Sequence, residues 1–345
     1  MLLHITEFSG EPLHYQISQQ LLAGILAGSL QEGAELLPAR TLARKQRVSV
    51  HSVEQAYQDL ARKGLLTYGG DRRVSVNVIS PEHKQRLVLQ RFLADTQERQ
   101  RLEEELRLAQ NIQAGLLPKT LPHSTRLQMA ASCEPARAIG GDFYDYLPLD
   151  AHRFALVIAD ACGKGMPAAM VISPLQAIIK SETSHGSSIR QIMPNLNQYV
   201  KRFASTKSFA TLFYGVFDAR TGSFEFANAG HHPPMLVRQN GQIEFLKTTG
   251  PALGLLAEAD HQIAMTKLNT GDCLLFYTDG VTETMNPARE EYSEQRLQDL
   301  LVRHRERSTQ EIIRLVIEDL NAFRDSALLQ DDRTIMVLKV LEEAR

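Results

Sequence analysis

Four short acidic motifs punctuate the C-terminal part of this chain: Gly140-Gly141-Asp142, Asp160-Ala161-Cys162-Gly163-Lys164-Gly165, Thr278-Asp279-Gly280 and Asp331-Asp332-Arg333-Thr334. Each carboxylate stands where an apolar run ends or begins. Phe154 to Ala159 runs into Asp160, Cys273 to Tyr277 runs into Thr278-Asp279, and Asp331-Asp332 precedes Thr334-Ile335-Met336-Val337-Leu338. If these runs are strands whose ends share one edge of a sheet, aspartates far apart in sequence come within reach of the same ions. An oxygen-only cluster suits a hard divalent cation such as Mg²⁺ or Mn²⁺ rather than zinc. A single Asp-Gly would be read as a turn. Four acids set among glycines at strand ends point instead to a site.

The elements that must position these acids can be read around them. Strands are expected near Leu127–Cys133, Asp142–Leu147, Phe154–Asp160, Phe209–Asp218, Ser223–Asn228, Met235–Arg238, Ile243–Leu246, Cys273–Thr278 and Thr334–Val340, with helices over Met166–Thr183 and Ile189–Ala204. Ser308-Thr309-Gln310-Glu311 is a capping-box start for a late helix reaching Phe323.

Upstream of Ser80 the pattern changes. Pro12-Leu13 opens an amphipathic helix through Leu26, with Ile17, Leu21, Leu22 and Ile25 on one face. Two further helices are expected over Thr41–Lys45 and Ser52–Lys63, the second closed by Gly64. Tyr68-Gly69-Gly70-Asp71-Arg72-Arg73 then sits between short apolar stretches as a hairpin would. From Pro81 to Leu117 the chain reads as one long helix. Val88, Phe92, Leu102, Leu106, Ala109 and Leu116 follow a four-three spacing whose other members, Asp95, Arg99 and Gln113, are polar. Such a seam predicts a parallel two-chain coiled coil, stopped by Pro118.

From about Leu106 to the C-terminus the chain resembles the SpoIIE/RsbU branch of the metal-dependent PPM serine/threonine phosphatases. The resemblance rests on seven ordered blocks: Ala109-Gln110-Asn111-Ile112-Gln113 through Leu117-Pro118, Gly140 to Asp145, Asp160 to Gly165, Ala210 to Gly215, Asn228 to Pro234, Tyr277 to Glu283 and Asp331 to Thr334. It implies an α-β-β-α sandwich, two Mn²⁺ or Mg²⁺ ions, and Asp142, Asp160, Asp279 and Asp331 as the catalytic metal carboxylates. The Ala161 carbonyl would add a ligand, and Asp332 would stand behind the first ligands. Arg137 is the first candidate for gripping substrate phosphate and Lys164 the second, against plainer roles as a surface Arg and a loop cap. Cys162, where relatives usually carry Ser, is read as a small buried filler in preference to a redox-sensitive thiol, and His231-His232-Pro233-Pro234 as a structural turn rather than a zinc site.

Residues 1–80 resemble the GntR-type winged helix-turn-helix domain. The matching positions are Pro12-Leu13, Tyr15-Gln16-Ile17, Gly33, Leu37-Pro38, Leu42-Ala43, Val48-Ser49, Ala56-Tyr57, Leu60 and Gly64-Leu65-Leu66. DNA would meet Arg40, Arg44, Ser49, His51, Ser52, Arg72 and Arg73. Val50 and Glu54, however, replace arginines usual in that family, and residues 1–80 hold eight Lys/Arg against seven Asp/Glu. DNA binding and protein contact therefore both stay open for this domain.

The composition agrees with an α/β multidomain chain: 345 residues, 43% hydrophobic, 23% charged and a net charge of −2. That charge does not mark the whole chain as a nucleic-acid or membrane binder. Three widely spaced cysteines suit a reduced, cytoplasmic protein, and no leader or membrane span is expected. The divisions are a winged domain at 1–80, a helical linker at 81–117 that holds a homodimer, and a phosphatase domain at 118–345. The expected function is metal-dependent hydrolysis of phosphoserine or phosphothreonine on a regulatory protein, in relatives an anti-sigma-factor antagonist. The alternative is a GntR-like DNA-binding regulator whose phosphatase-like domain senses an effector or partner.

Overall fold

The computed structural model describes residues 3–5, 11–69, 73–122, 126–203 and 208–341. They fall into two compact units, Met1–Glu103 and Glu104–Arg345.

In the first unit, helix α1 (Leu13–Leu26) precedes strand β1 (Glu35–Leu36), helices α2 (Ala39–Gln46) and α3 (Val50–Arg62), and strands β2 (Leu66–Tyr68) and β3 (Val74–Val76). The strands form an antiparallel sheet in the order β1-β3-β2. Ile17, Leu21, Leu42, Val53, Tyr57, Leu60 and Val74 meet in one core. The buried positions of α3, Val53, Ala56, Tyr57 and Leu60, recur at helical spacing, so one face of the helix is spent on that core. Tyr57 keeps its hydroxyl satisfied by donating to the Leu37 carbonyl at 2.7 Å. Helix α2 ends on Arg47 in the left-handed region, and α3 begins at Ser49, whose Oγ accepts from the Ser52 N–H at 3.0 Å. Both helices thus start two residues earlier than the sequence pattern suggested. The hairpin tip at Gly70, Asp71 and Arg72 lies outside the described residues.

Helix α4 (Pro81–Leu116) is continuous, with Pro81 at its first position, where a missing N–H costs nothing. Val88, Leu89, Phe92, Leu93 and Leu102 are all exposed along it.

The second unit then runs β4 (Leu127–Glu134), β5 (Asp142–Pro148), β6 (Arg153–Ala161), α5 (Met166–Ser184), α6 (Ile189–Phe203), β7 (Ala210–Asp218), β8 (Ser223–Ala229), β9 (Met235–Val237), β10 (Ile243–Phe245), β11 (Ala264–Lys267), β12 (Cys273–Tyr277), α7 (Asp279–Thr282), α8 (Glu294–His304), α9 (Thr309–Arg324) and β13 (Arg333–Val340). Two five-stranded antiparallel sheets result, ordered β10-β9-β12-β13-β4 and β11-β8-β7-β6-β5. Leu156 and Ile158 of β6 meet Leu274 and Phe276 of β12 and Met336 of β13 between the sheets. The alternate residues Ala155, Val157 and Ala159 pack with Ile172, Leu175 and Leu196 of α5 and α6. On the other side Leu275, Tyr277, Ile335 and Val337 pack with Leu301, Ile312 and Val316 of α8 and α9. The layers are therefore helix, sheet, sheet, helix. Because central strands are covered on both faces, they read as unbroken apolar runs rather than alternating ones.

The expected strands are all present within a residue or two, and α9 is capped at Ser308, whose Oγ accepts from the Glu311 N–H at 3.2 Å. Strand β11 and helix α8 were not expected. Among the described residues no helix is long and apolar enough to cross a membrane.

Candidate active site

Strand register brings the acids to one end of the sandwich. Asp142 of β5 lies directly opposite Asp160 of β6, and Asp160 lies opposite Thr211 of β7. In the other sheet Tyr277 pairs with Ile335, so Thr278-Asp279 and Asp331 to Thr334 leave β12 and β13 at the same end. Thr278, fully buried, stitches the sheets together. Its N–H donates to the Thr334 carbonyl at 3.1 Å, its Oγ1 accepts from the Thr334 N–H at 3.0 Å, and that hydroxyl donates to Asp142 Oδ2 at 2.8 Å.

Asp332 acts as a clamp on backbone rather than as an outward carboxylate. One of its oxygens accepts from the Ala136 N–H at 2.7 Å and the other from the Gly141 N–H at 2.6 Å. A Cβ on Gly140 would lie 2.6 Å from the second oxygen, and one on Gly280 would collide with the Asp332 carbonyl. Those two glycines are therefore steric requirements of the site. Gln113 grips the same turn: its amide donates to the Gly140 carbonyl at 2.7 Å and accepts the Gly140 N–H at 3.0 Å. Gln113 is thus turned onto the site and is not free to join a coiled-coil seam. Ala161 is buried beside it, its N–H donating to the Gly141 carbonyl at 3.0 Å.

Crowded carboxylates raise one another's pKa. Burial, then the charge of Asp160, holds Asp142 well above the usual carboxylate range. Asp160 is pushed up to about 7 by burial and then by Asp279 and Asp331. Asp279 is raised by burial and by Asp331. Burial also raises Asp332, against the two N–H groups it accepts. Glu283, just after α7, is raised by burial and by Asp279.

The acids are gathered but do not form a closed cage: among the described residues no three His, Cys, Asp or Glu converge in metal-holding geometry. Like charges at this spacing repel, and two of the carboxylates turn to local partners, Asp142 to Thr278 and Asp331 to Lys164. The donor chemistry still fits a hard cation, since the cluster offers only carboxylate oxygens gathered where they repel one another.

Lys164, the second candidate for gripping phosphate, is engaged with the acid cluster itself. Its ammonium lies 2.8 Å from Asp331 Oδ2 and donates to the Gln330 carbonyl at 2.6 Å. Arg137 is exposed and packs beside Gly165, so its guanidinium stays at the rim of the loop that carries Lys164. Cys162 is exposed, not a buried filler. His231 is buried and held neutral, its pKa lowered to about 3 by burial, with Nδ1 against Thr211 Oγ1 at 2.9 Å. His232 sits 5.7 Å from the Tyr277 ring, in the neighbourhood of Asp279 and Glu283. Sequence reasoning read His231-His232 as a turn and quoted Thr278 only as the flank of Asp279, so it did not anticipate the Thr278 hydroxyl on Asp142. A histidine in a turn and a threonine at a strand end carry no distinct signal on their own.

In the first unit Arg40, Arg44 and His51 are exposed. Ser49 and Ser52 are instead engaged with each other, their hydroxyls 2.8 Å apart at the start of α3. Arg73 pairs with Glu35 at 3.3 Å. Arg72 lies outside the described residues.

A sandwich of this layering with acids at the end between its sheets is the architecture of a PP2C-type protein serine/threonine phosphatase domain. The SiaA-PP2C domain of Pseudomonas aeruginosa superposes with a TM-score of 0.63, covering 70% of this chain and 98% of that one at 21% identity, a likeness of fold. The RsbU and RsbW domains of Rv1364c from Mycobacterium tuberculosis give 0.55, covering 65% of this chain and 62% of that one at 28% identity. The family model described as Stage II sporulation protein E (SpoIIE) matches residues 150–341. The chain belongs to this family. Phosphoserine phosphatase RsbU of Bacillus subtilis (strain 168) is 31% identical over 243 residues, covering 70% of this chain and 71% of that protein. Protein IcfG of Synechocystis sp. (strain ATCC 27184 / PCC 6803 / Kazusa) is 31% identical over 261 residues, which are 68% of this chain but only 41% of that protein.

The raised acids set a pH dependence. The unfolded Asp160 releases its proton near 3.8, the folded one near 7. Between those values the folded chain holds a proton that the unfolded chain has lost, so stability falls as pH rises. In chelator-treated protein the melting temperature should therefore decline from about pH 5 to pH 7, and Asp160→Asn should flatten that decline. Calorimetry showing an equal slope in the variant would remove Asp160 as its source.

Proposed function

We propose that the chain is a Mn²⁺- or Mg²⁺-dependent phosphatase acting on phosphoserine or phosphothreonine of a regulatory protein. The observation that carries this reading is the register pairing of Asp142 with Asp160, joined to the sheet end that bears Asp279 and Asp331 by the Thr278–Asp142 hydrogen bond. Metal dependence is general among PP2C-type phosphatases. Two ions held by Asp142, Asp160, Asp279 and Asp331 would oppose the charge of the phosphate and lower the pKa of water. The protein's own groups do the positioning. Thr278 orients Asp142, Asp332 and Gln113 fix the Gly140-Gly141 turn, and Arg137 is placed at the rim to grip phosphate oxygens with its fork of donors. The name of the Bacillus relative supports a phosphoserine substrate. An anti-sigma-factor antagonist, met in the cytoplasm, is the partner that kinship favours.

The first unit and α4 we read as a GntR-like winged helix-turn-helix on a dimerising helix. Support comes from the order of its three helices and paired strands, the exposed Arg40 and Arg44, and the exposed apolar residues of α4. The rival reading, a DNA-binding regulator with a silent sensor domain, is weakened by the presence of all four aspartates.

Three outcomes are expected. Asp160→Asn and Asp279→Asn should each lower Mn²⁺-dependent hydrolysis of a phosphoserine peptide by at least about 10³-fold, since each removes charge that holds the ions. Circular dichroism should stay unchanged, and near-normal turnover at saturating Mn²⁺ would take that residue out of the site. Phe92→Asp with Leu102→Asp should move sedimentation from dimer toward monomer, because a carboxylate buried in the seam costs several kcal/mol. An unaltered dimer would place the interface elsewhere. Arg40→Ala with Arg44→Ala should reduce the salt slope of DNA retention by about 2. Wild-type protein that retains no DNA at low salt would leave protein contact as the domain's role.

A further inference from the structure

Lys164 stands out because it is a cation already seated on the acid cluster. Its ammonium pairs with Asp331 at 2.8 Å and is steadied by the Gln330 carbonyl at 2.6 Å. Its charge also acts on Asp279 and Asp332, so it opposes repulsion across this half of the cluster rather than at one carboxylate. The residue is mounted between Gly163 and Gly165, both in the left-handed region at φ 107° and 70°. Its side chain remains part-exposed, and a small cavity of about 70 Å³ lined by Lys164, Gly280, Glu283, Arg324 and Asp331 opens beside it. Lys164 therefore has somewhere to go.

We propose that Lys164 is a tethered counter-cation which competes with the divalent ion for Asp331 and so sets the affinity of the site for metal. The inference rests on the metal-dependent reading above. A carboxylate held by an ammonium is not available as a ligand, and apparent affinity falls by the fraction of molecules in which the ligand is free. If the pair is closed nine-tenths of the time, binding at Asp331 is weakened about tenfold. The same pair keeps the acids assembled before metal arrives, so the device trades affinity for a site that is already gathered. Loading then requires the ammonium to leave Asp331, which frees a cation beside the place where phosphate would bind.

The test is isothermal titration of chelator-stripped full-length protein with MnCl₂. Lys164→Met should tighten the weaker Mn²⁺ binding step about tenfold, while Lys164→Arg, which keeps the charge, should stay within about threefold of wild type. Arg137→Met removes the same charge from the neighbouring rim but breaks no described ion pair. It should tighten binding less than about twofold. Wild-type protein that binds Mn²⁺ with Lys164→Met unchanged or weaker would overturn the competition. So would an Arg137→Met effect as large as that of Lys164→Met, which would make the effect one of general field rather than contact. Wild-type protein that takes up no Mn²⁺ at all would instead overturn the metal-dependent reading itself, and this inference with it.

Discussion

Repulsion among Asp142, Asp160, Asp279, Asp331 and Asp332 is the constraint on which the rest of the catalytic unit turns. Each of these groups would be more comfortable in water, and burial raises the pKa of Asp142, Asp160, Asp279 and Asp332 before their neighbours add to it. A flexible chain would let them drift apart. They stay together because they are attached to the ends of strands whose middles are fully buried on both faces, as in β6 and β12. The apolar layers supply the free energy, and strand register converts it into fixed positions for charge.

Much of this was legible because the two requirements leave different marks. Burial on both faces turns the core strands into unbroken apolar runs, and the acid at the end of each run shows where the run reaches the site. Elements under weaker constraint left weaker marks. Strand β11 has four residues at a sheet edge with alternating partial exposure, a pattern shared by many loops. Helix α8 buries only Leu297 and Leu301 within a polar stretch, so its period was hard to see. Partner choice was illegible for a different reason. Nothing in the local sequence around Lys164 says that its ammonium meets Asp331, a residue brought near only by the long connection from β6 to β13. Cys162 is likewise exposed, which its own apolar character does not foretell.

The linker shows how a pattern can be right about an element and misleading about a face. Its four-three spacing correctly marks a continuous helix from Pro81 to Leu116. Gln113 occupied a polar place in that spacing and read as a tolerated interruption. In the structure its amide satisfies both backbone groups of Gly140. A side chain with one donor and one acceptor side by side matches the N–H and C=O of a single residue, a fit no apolar seam residue could supply. The polar member of the repeat therefore has a defined side-chain partner in this unit, while Leu108 and Ile112 nearby remain exposed.

Asp331 and Asp332 show how finely position divides labour between identical residues. They are adjacent in the segment that leads into β13, just before its first residue Arg333. Asp332 is turned inward, to 4% exposure, and both its oxygens are taken by backbone N–H groups of Ala136 and Gly141. Those N–H groups could not turn elsewhere without opening the Gly140-Gly141 turn, so this carboxylate is committed to structure. Asp331 stays part-exposed and is held by a lysine side chain that can move. Asp332 has both oxygens on fixed amides and holds a loop in place, whereas Asp331 gives one oxygen to the Asp332 N–H at 3.0 Å and the other to an ammonium that can be exchanged for another cation. The difference lies in the partners, and the partners change with one residue's step along the chain.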